Sequence, residues 1–116
     1  MTEFESIKLN KEFRFLYGRG INKISPSVVI YATKNNKNIQ RLGITCSKKI
    51  GNAVKRNRTK RIIRVAYRNI LSELNGCYDV VIVARTRCAY KKSDEVTRDL
   101  KNCFIQAGLI EDEKSN

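Results

Sequence analysis

The run Val80-Val81-Ile82-Val83-Ala84 does most to limit what this chain can fold into. Five consecutive apolar residues, four of them β-branched, suit a central strand, and the breaker "NGCYD" precedes them. The remaining elements have to be arranged around that strand.

Two further strand-like segments lie upstream. "SVVIYATK" (Ser27 to Lys34) and "IQRLGITCSK" (Ile39 to Lys48) are rich in β-branched residues and flank the polar turn "NNKN". This pattern predicts a hairpin. Asn10 is the expected cap of a short first helix, on which Phe13, Leu16 and Tyr17 share one face before Gly18 and Gly20 stop it. A longer helical pattern runs from Ala53 to about Leu74. Ser93 is the expected cap of a last helix, with Val96, Leu100, Cys103, Phe104 and Ala107 at helical spacing and Gly108 as terminator. The predicted order is helix, strand, strand, helix, strand, helix. It describes a single-domain α+β sandwich over residues 1–116, with a core of about 8–108, helices covering one face of a central sheet, and a frayed tail at 109–116.

Charge narrows the function. The chain carries a formal +13, and between Glu12 and Glu73 there are fifteen Lys and Arg and no acid. Solvated faces normally mix both signs, so a one-signed interval favours a polyanionic partner. No run of about 18 apolar residues or signal-like segment points to a membrane, and a cytoplasmic protein is expected. There is no His, which removes the commonest general acid–base and the usual activator of a nucleophile. Cys46, Cys77, Cys88 and Cys103 show no C-x-x-C spacing and are expected to be buried free thiols. Asp94, Glu95 and Asp99 stand where a helix begins, where acids complement its dipole.

The charge concentrates on the second helix. At about 100° per residue, Ile62, Ile63, Ala66, Tyr67 and Ile70 take one side, while Asn57, Arg61, Arg64 and Arg68 gather within about 60° on the other. Arginine predominates there, and its planar fork bonds two phosphate oxygens at once. Lys48, Lys49, Lys55, Arg56 and Arg58 add charge near the helix start, where cations oppose the dipole and an external anion would compensate.

"SKKIGNAVKRNRTKRIIR" resembles the signature of the protein subunit of bacterial ribonuclease P, the ribonucleoprotein that cuts the 5′ leader from precursor tRNA. Ser-Lys-Lys, Gly-Asn-Ala-Val, Arg-Asn-Arg and Lys-Arg occur in order, and the broader likeness runs from about Asn10 to Phe104. The resemblance implies a left-handed strand–helix–strand crossover containing the basic helix, a handedness opposite to the general rule. It also implies a catalytic RNA subunit using Mg2+, with the protein as a binding partner that has no catalytic residue. Lys48, Lys49, Lys55, Arg56, Asn57, Arg58, Lys60, Arg61, Arg64 and Arg68 would contact the catalytic RNA. The single-stranded leader of precursor tRNA would lie in a cleft between the first helix and the sheet, with Phe13, Tyr17 and Tyr31 as its aromatics and Lys34 and Cys46 beside them. Tyr17 departs from the phenylalanine often found there. On spacing alone, Phe13 and Tyr17 read as core, as a Phe and a Tyr at i and i+4 on a short helix more often are. Two other functions are consistent with the residues: a self-sufficient nuclease with Asp79 and Asp94 holding magnesium, and a ribosomal structural protein.

Overall fold

The computed structural model describes residues 3–112. Five strands, β1 (Phe4–Ser6), β2 (Ile21–Ile24), β3 (Val28–Lys34), β4 (Gln40–Thr45) and β5 (Tyr78–Ala84), form one mixed sheet in the order β1-β4-β5-β3-β2. Three α-helices accompany it: α1 (Asn10–Arg19), α2 (Ala53–Ile70) and α3 (Ser93–Ala107).

β5 is central, as its apolar run requires, but its position overturns the expected hairpin. β3 and β4 do not pair. β5 lies between them, antiparallel to β3 through Ile30 opposite Ile82 and parallel to β4 through Ile44 opposite Ile82. The turn after β3 reaches across the start of β5: Asn35 donates its backbone N–H to Cys77 (3.0 Å), and its side-chain amide to Asp79 (2.8 Å) and the Ile39 carbonyl (3.2 Å). β4 and β5 are therefore adjacent parallel strands joined through α2, the crossover arrangement.

Two strands escape the sequence pattern. β1 is three residues long, and β2, "INKI", carries two polar residues among four. Both are edge strands, where short and polar sequences prevail because a long apolar edge invites aggregation.

Helices cover both faces, not one. On the first face Ile30, Ala32, Leu42, Val80 and Ile82 pack against Ile63, Ala66, Tyr67 and Ile70 of α2 and against Val96, Leu100, Cys103 and Phe104 of α3. On the second, Leu16 and Phe13 of α1 pack with Ile7, Tyr31, Val81 and Val83. Successive residues of β5 thus enter opposite cores, which is why its sequence shows no alternation.

The helix ends differ in detail from the sequence expectation. Asn10 and Ser93 are first helical residues rather than caps. The Leu9 carbonyl accepts from the N–H groups of Glu12 and Phe13, and Glu95 Oε1 accepts the Lys92 N–H at 3.1 Å. Asn52 caps α2, its Oδ1 accepting the Lys55 N–H at 3.0 Å, and a 3-10 turn at Leu71–Glu73 extends that helical stretch. Gly108 ends α3 in the left-handed conformation (φ 85°). Beyond it, Leu109 and Ile110, expected in a frayed tail, are buried, and the Leu109 N–H donates to Phe104. The rest of the expected tail, from 113, lies outside the described residues. Among the described residues no helix is long and apolar enough to cross a membrane.

Candidate nucleic-acid interface

α2 presents its charge as its sequence requires. Thr59, Ile63, Ala66, Tyr67 and Ile70 are buried, whereas Asn57, Arg58, Arg61, Arg64 and Arg68 are exposed. Among the described residues none of these exposed arginines forms an ion pair with an acid; the salt bridges there involve Arg41, Lys91 and Lys101. Arg68 is braced from the side, its guanidinium carbon 5.3 Å from the centre of the Phe4 ring, and Phe4 in turn meets Tyr67 edge-on at 5.1 Å. The face is an outward row of guanidinium groups on a rigid element.

Not every expected RNA-binding residue is equally available. Arg56 is half-buried and donates to the Gly51 carbonyl at 2.7 Å, so it also ties down the turn before α2. Lys60 is half-buried. Lys48 and Lys49 are exposed on a 3-10 turn, Lys48–Ile50, anchored by buried Ile50.

On the second face α1 stands over the sheet and covers part of it. Phe13 lies against Gly43, and Tyr17, which is 41% exposed, meets Tyr31 edge-on at 4.9 Å. The Tyr17 hydroxyl is 3.0 Å from Thr45 Oγ1. Strand register lines up Gly43, Val81, Tyr31 and Asn22 in one row across β4, β5, β3 and β2, and Thr45, Val83, Val29 and Ile24 in the next. In the first row Gly43, Val81 and Tyr31 lie against α1 and Asn22 is exposed; the second is less covered, with Thr45, Val83 and Val29 half-buried and Ile24 exposed. Phe13, Tyr17 and Tyr31 therefore come together where α1 meets the sheet, their ring centres 6.4 and 4.9 Å apart in succession. Thr45, Val83, Val29 and Ile24 continue the same sheet face beside them, and sequence reasoning missed all four. Their shared face follows from the two-residue period of the strands, which can be read only once the register is known.

Two residues expected in this cleft are not in it. Cys46 follows Leu42 and Ile44 on the alternation of β4 and packs into the α2 and α3 core. Burial raises the pKa of its thiol, and the charges of Lys60, Arg56 and Arg64 pull it back. Lys34 shares the face of Ile30 and Ala32, opposite Tyr78 at the far end of β3. Nearness in sequence puts both beside Tyr31; the two-residue period of a strand separates them from it.

At the other end of α1, Arg41 is buried and forks onto Glu12 at 2.8 and 3.1 Å while also reaching Asp79 at 3.1 Å. The Arg41 hydrogen bond holds the Glu12 carboxyl below its ordinary pKa, against a smaller opposing effect of burial. Asp79, one of the two acids considered for a metal-dependent nuclease, accepts from both Arg41 and Asn35. Asp94 accepts the Glu95 N–H at 3.0 Å. Both acids have structural partners. Of the free thiols, Cys88 and Cys103 are buried and Cys46 and Cys77 half-buried; burial pushes Cys88 up to about 12.

Comparison with known proteins agrees with this geometry. The Ribonuclease P family profile matches residues 1–108. The ribonuclease P protein component of Clostridium acetobutylicum is 43% identical over 112 residues, covering 94% of each chain. That of Alkaliphilus metalliredigens is 32% identical, covering 95% of this chain and 99% of its own. The solved structure of the Staphylococcus aureus RNase P protein superposes with a TM-score of 0.81 at 29% identity over 93% of this chain and 99% of that one. The Thermotoga maritima RNase P protein gives 0.75 at 25% identity over 84% and 93%. A chain so similar in sequence along its length, and in the path of its sheet and helices, belongs to the ribonuclease P protein family, the protein components of the endonuclease that matures the 5′ ends of tRNA.

Proposed function

We propose that this chain binds the catalytic RNA of ribonuclease P through the outer face of α2 and the 5′ leader of precursor tRNA through the cleft beside α1. One observation carries the reading: α1 and α2 lie on opposite faces of the sheet, so a row of arginines and an aromatic cleft are presented on two separate sides. Two RNA molecules can then be held at once without competing. Arg61, Arg64 and Arg68, with Asn57 and Arg58, supply phosphate contacts; Lys48, Lys49, Lys55 and Lys60 add charge around them. Tyr17 and Tyr31 offer ring surface for unpaired leader bases, and Thr45 offers a hydroxyl.

The chemistry of cleavage belongs to the RNA subunit, with Mg2+ supplying Lewis-acid catalysis there. The protein contributes affinity and orientation, which lower the barrier by holding the leader in register with that centre. The cytoplasm, where precursor tRNA is made in bacteria, is the matching compartment.

The test is reconstitution. The protein is mixed with a transcript of the cognate ribonuclease P RNA and a precursor tRNA, and product ends are mapped. Cleavage at the mature 5′ end that depends on the RNA and is accelerated by the protein is the expected outcome. Cleavage by the protein alone would favour the nuclease. Co-sedimentation with ribosomal particles and no effect on processing would favour the ribosomal reading.

A further inference from the structure

The most exposed aromatic side chain among the described residues is neither in the cleft nor on the arginine row. Tyr90 is 79% exposed and ends a 3-10 turn, Thr86–Tyr90, that follows β5. The turn itself is fixed. Cys88 and Ala89 are buried, the Cys88 N–H donates to Arg85 (2.9 Å), and the Lys91 N–H donates to Cys88 (3.2 Å). A rigid backbone therefore holds a large amphipathic ring in water, a placement that folding alone does not favour.

Its surroundings indicate what the ring meets. The turn packs against the start of α2 and against the Lys48–Ile50 turn. Lys55 Nζ stands 5.8 Å from the ring centre, within cation–π range, and Val54 beside it is 76% exposed. Lys48, Lys49 and Arg87 are exposed on the same segments, and Lys92 is exposed just before α3. Glu95, an acid in the first turn of α3, pairs with Lys91 at 3.6 Å and accepts the Lys92 N–H. An exposed aromatic ring with an ammonium group over it and further cations on the neighbouring segments matches one ligand chemistry: an unpaired nucleobase that stacks while its flanking phosphates meet the ammonium groups.

We infer that Tyr90, with Lys55, forms a stacking platform for an unpaired base of the ribonuclease P RNA. The RNA subunit is the source because the turn that carries Tyr90 packs against α2 and the basic Lys48–Ile50 turn, on the side of the sheet away from α1. The inference rests on the function proposed above and adds a base-contacting site to a surface otherwise read as phosphate-binding.

The test compares Tyr90→Ala, Tyr90→Phe and the triple variant R61A/R64A/R68A for affinity to a transcript of the cognate RNA subunit across a salt series, with leader-bearing precursor tRNA titrated in parallel. Tyr90→Ala is expected to weaken RNA-subunit binding about 5- to 140-fold, the loss of one stacked base, with an unchanged salt slope. Tyr90→Phe should bind as the wild type does. Melting temperatures should match, since the side chain is mostly in water. Wild-type affinity in Tyr90→Ala overturns the platform while a weakened triple variant leaves the proposed function standing. An equal loss in Tyr90→Phe overturns stacking in favour of a hydroxyl contact, and a loss confined to precursor tRNA overturns the choice of RNA. If the wild-type protein does not bind the transcript at all, the function itself falls.

Discussion

The ring of Phe13 occupies the space into which any side chain at Gly43 would project: a Cβ there would stand 2.7 Å from Phe13 Cζ and 2.8 Å from Cε1. The close approach of α1 to β4 depends on this pair. Gly43→Ala should force Phe13 out of its seat and destabilise the protein by about 1–3 kcal/mol, the usual cost of overpacking. Phe13→Leu in the same chain should recover part of that loss. Thermal melts of the two single variants and the double variant give the coupling, and an unperturbed Gly43→Ala would show that α1 rides freely on the sheet.

The cleft aromatics should separate by burial. Tyr17 keeps 41% of its surface in water, whereas Phe13 is half-buried in the second core. Tyr17→Ala should weaken leader-bearing precursor by about 1–3 kcal/mol per stacked base and leave mature tRNA nearly unchanged. Phe13→Ala should instead cost about 3 kcal/mol of stability and affect both substrates. Tyr17→Phe isolates the hydroxyl that meets Thr45. Paired binding curves and melting temperatures decide, and equal losses on both RNAs in Tyr17→Ala would remove it from the cleft.

Replacing Arg61, Arg64 and Arg68 together by Ala should flatten the salt dependence of RNA-subunit binding without unfolding the protein, because all three are exposed. Every phosphate that the variant no longer neutralises should lower the log–log slope by about 0.7 to 0.9. The measurement is affinity against salt concentration. An unchanged slope would make the row a solvated face.

Glu12 gives the protein an acid-sensitive ion pair. Its folded pKa is lowered by Arg41, so the pair's contribution is fully present above the unfolded value of about 4.3 and is lost as pH falls through the lower folded value. Glu12→Gln should therefore be less stable than the wild type at about pH 7, with the gap narrowing below about pH 4. Denaturant melts across that range check it. A gap that stays constant down to acid pH would mean the ion pair contributes nothing beyond its neutral hydrogen bonds.

What the sequence made legible was whatever a local period encodes. The five apolar residues at Val80–Ala84 announced a central strand, and the spacing of Ile63, Ala66, Tyr67 and Ile70 against Arg61, Arg64 and Arg68 announced both the helix and its outward charge. What was illegible depended on partners distant in the chain. Nothing in "SVVIYATK" or "IQRLGITCSK" records that a third strand lies between them, so the short "NNKN" connection reads as a hairpin turn. β1 and β2 lack any apolar period because they are edges. Cys46 and Lys34 fall on the other face because closeness along a strand is not closeness in space, and only the register with Tyr31 gives Thr45 and Val83 a role.

The insertion of β5 between β3 and β4 also sets an order of events. Both flanking strands leave the ribosome well before the strand that joins them, so for some forty residues of synthesis each has an unsatisfied inner edge. Their direct pairing, which local sequence favours, would close the slot that β5 must enter. Folding of this chain is therefore a late, long-range event that waits on residue 84, and slow closure of non-local strand pairs of this kind is where small mixed domains expose themselves to misassembly. By then the strongly basic segment that becomes α2 has already been synthesised, and its like charges oppose association between chains before the sheet gains its middle strand.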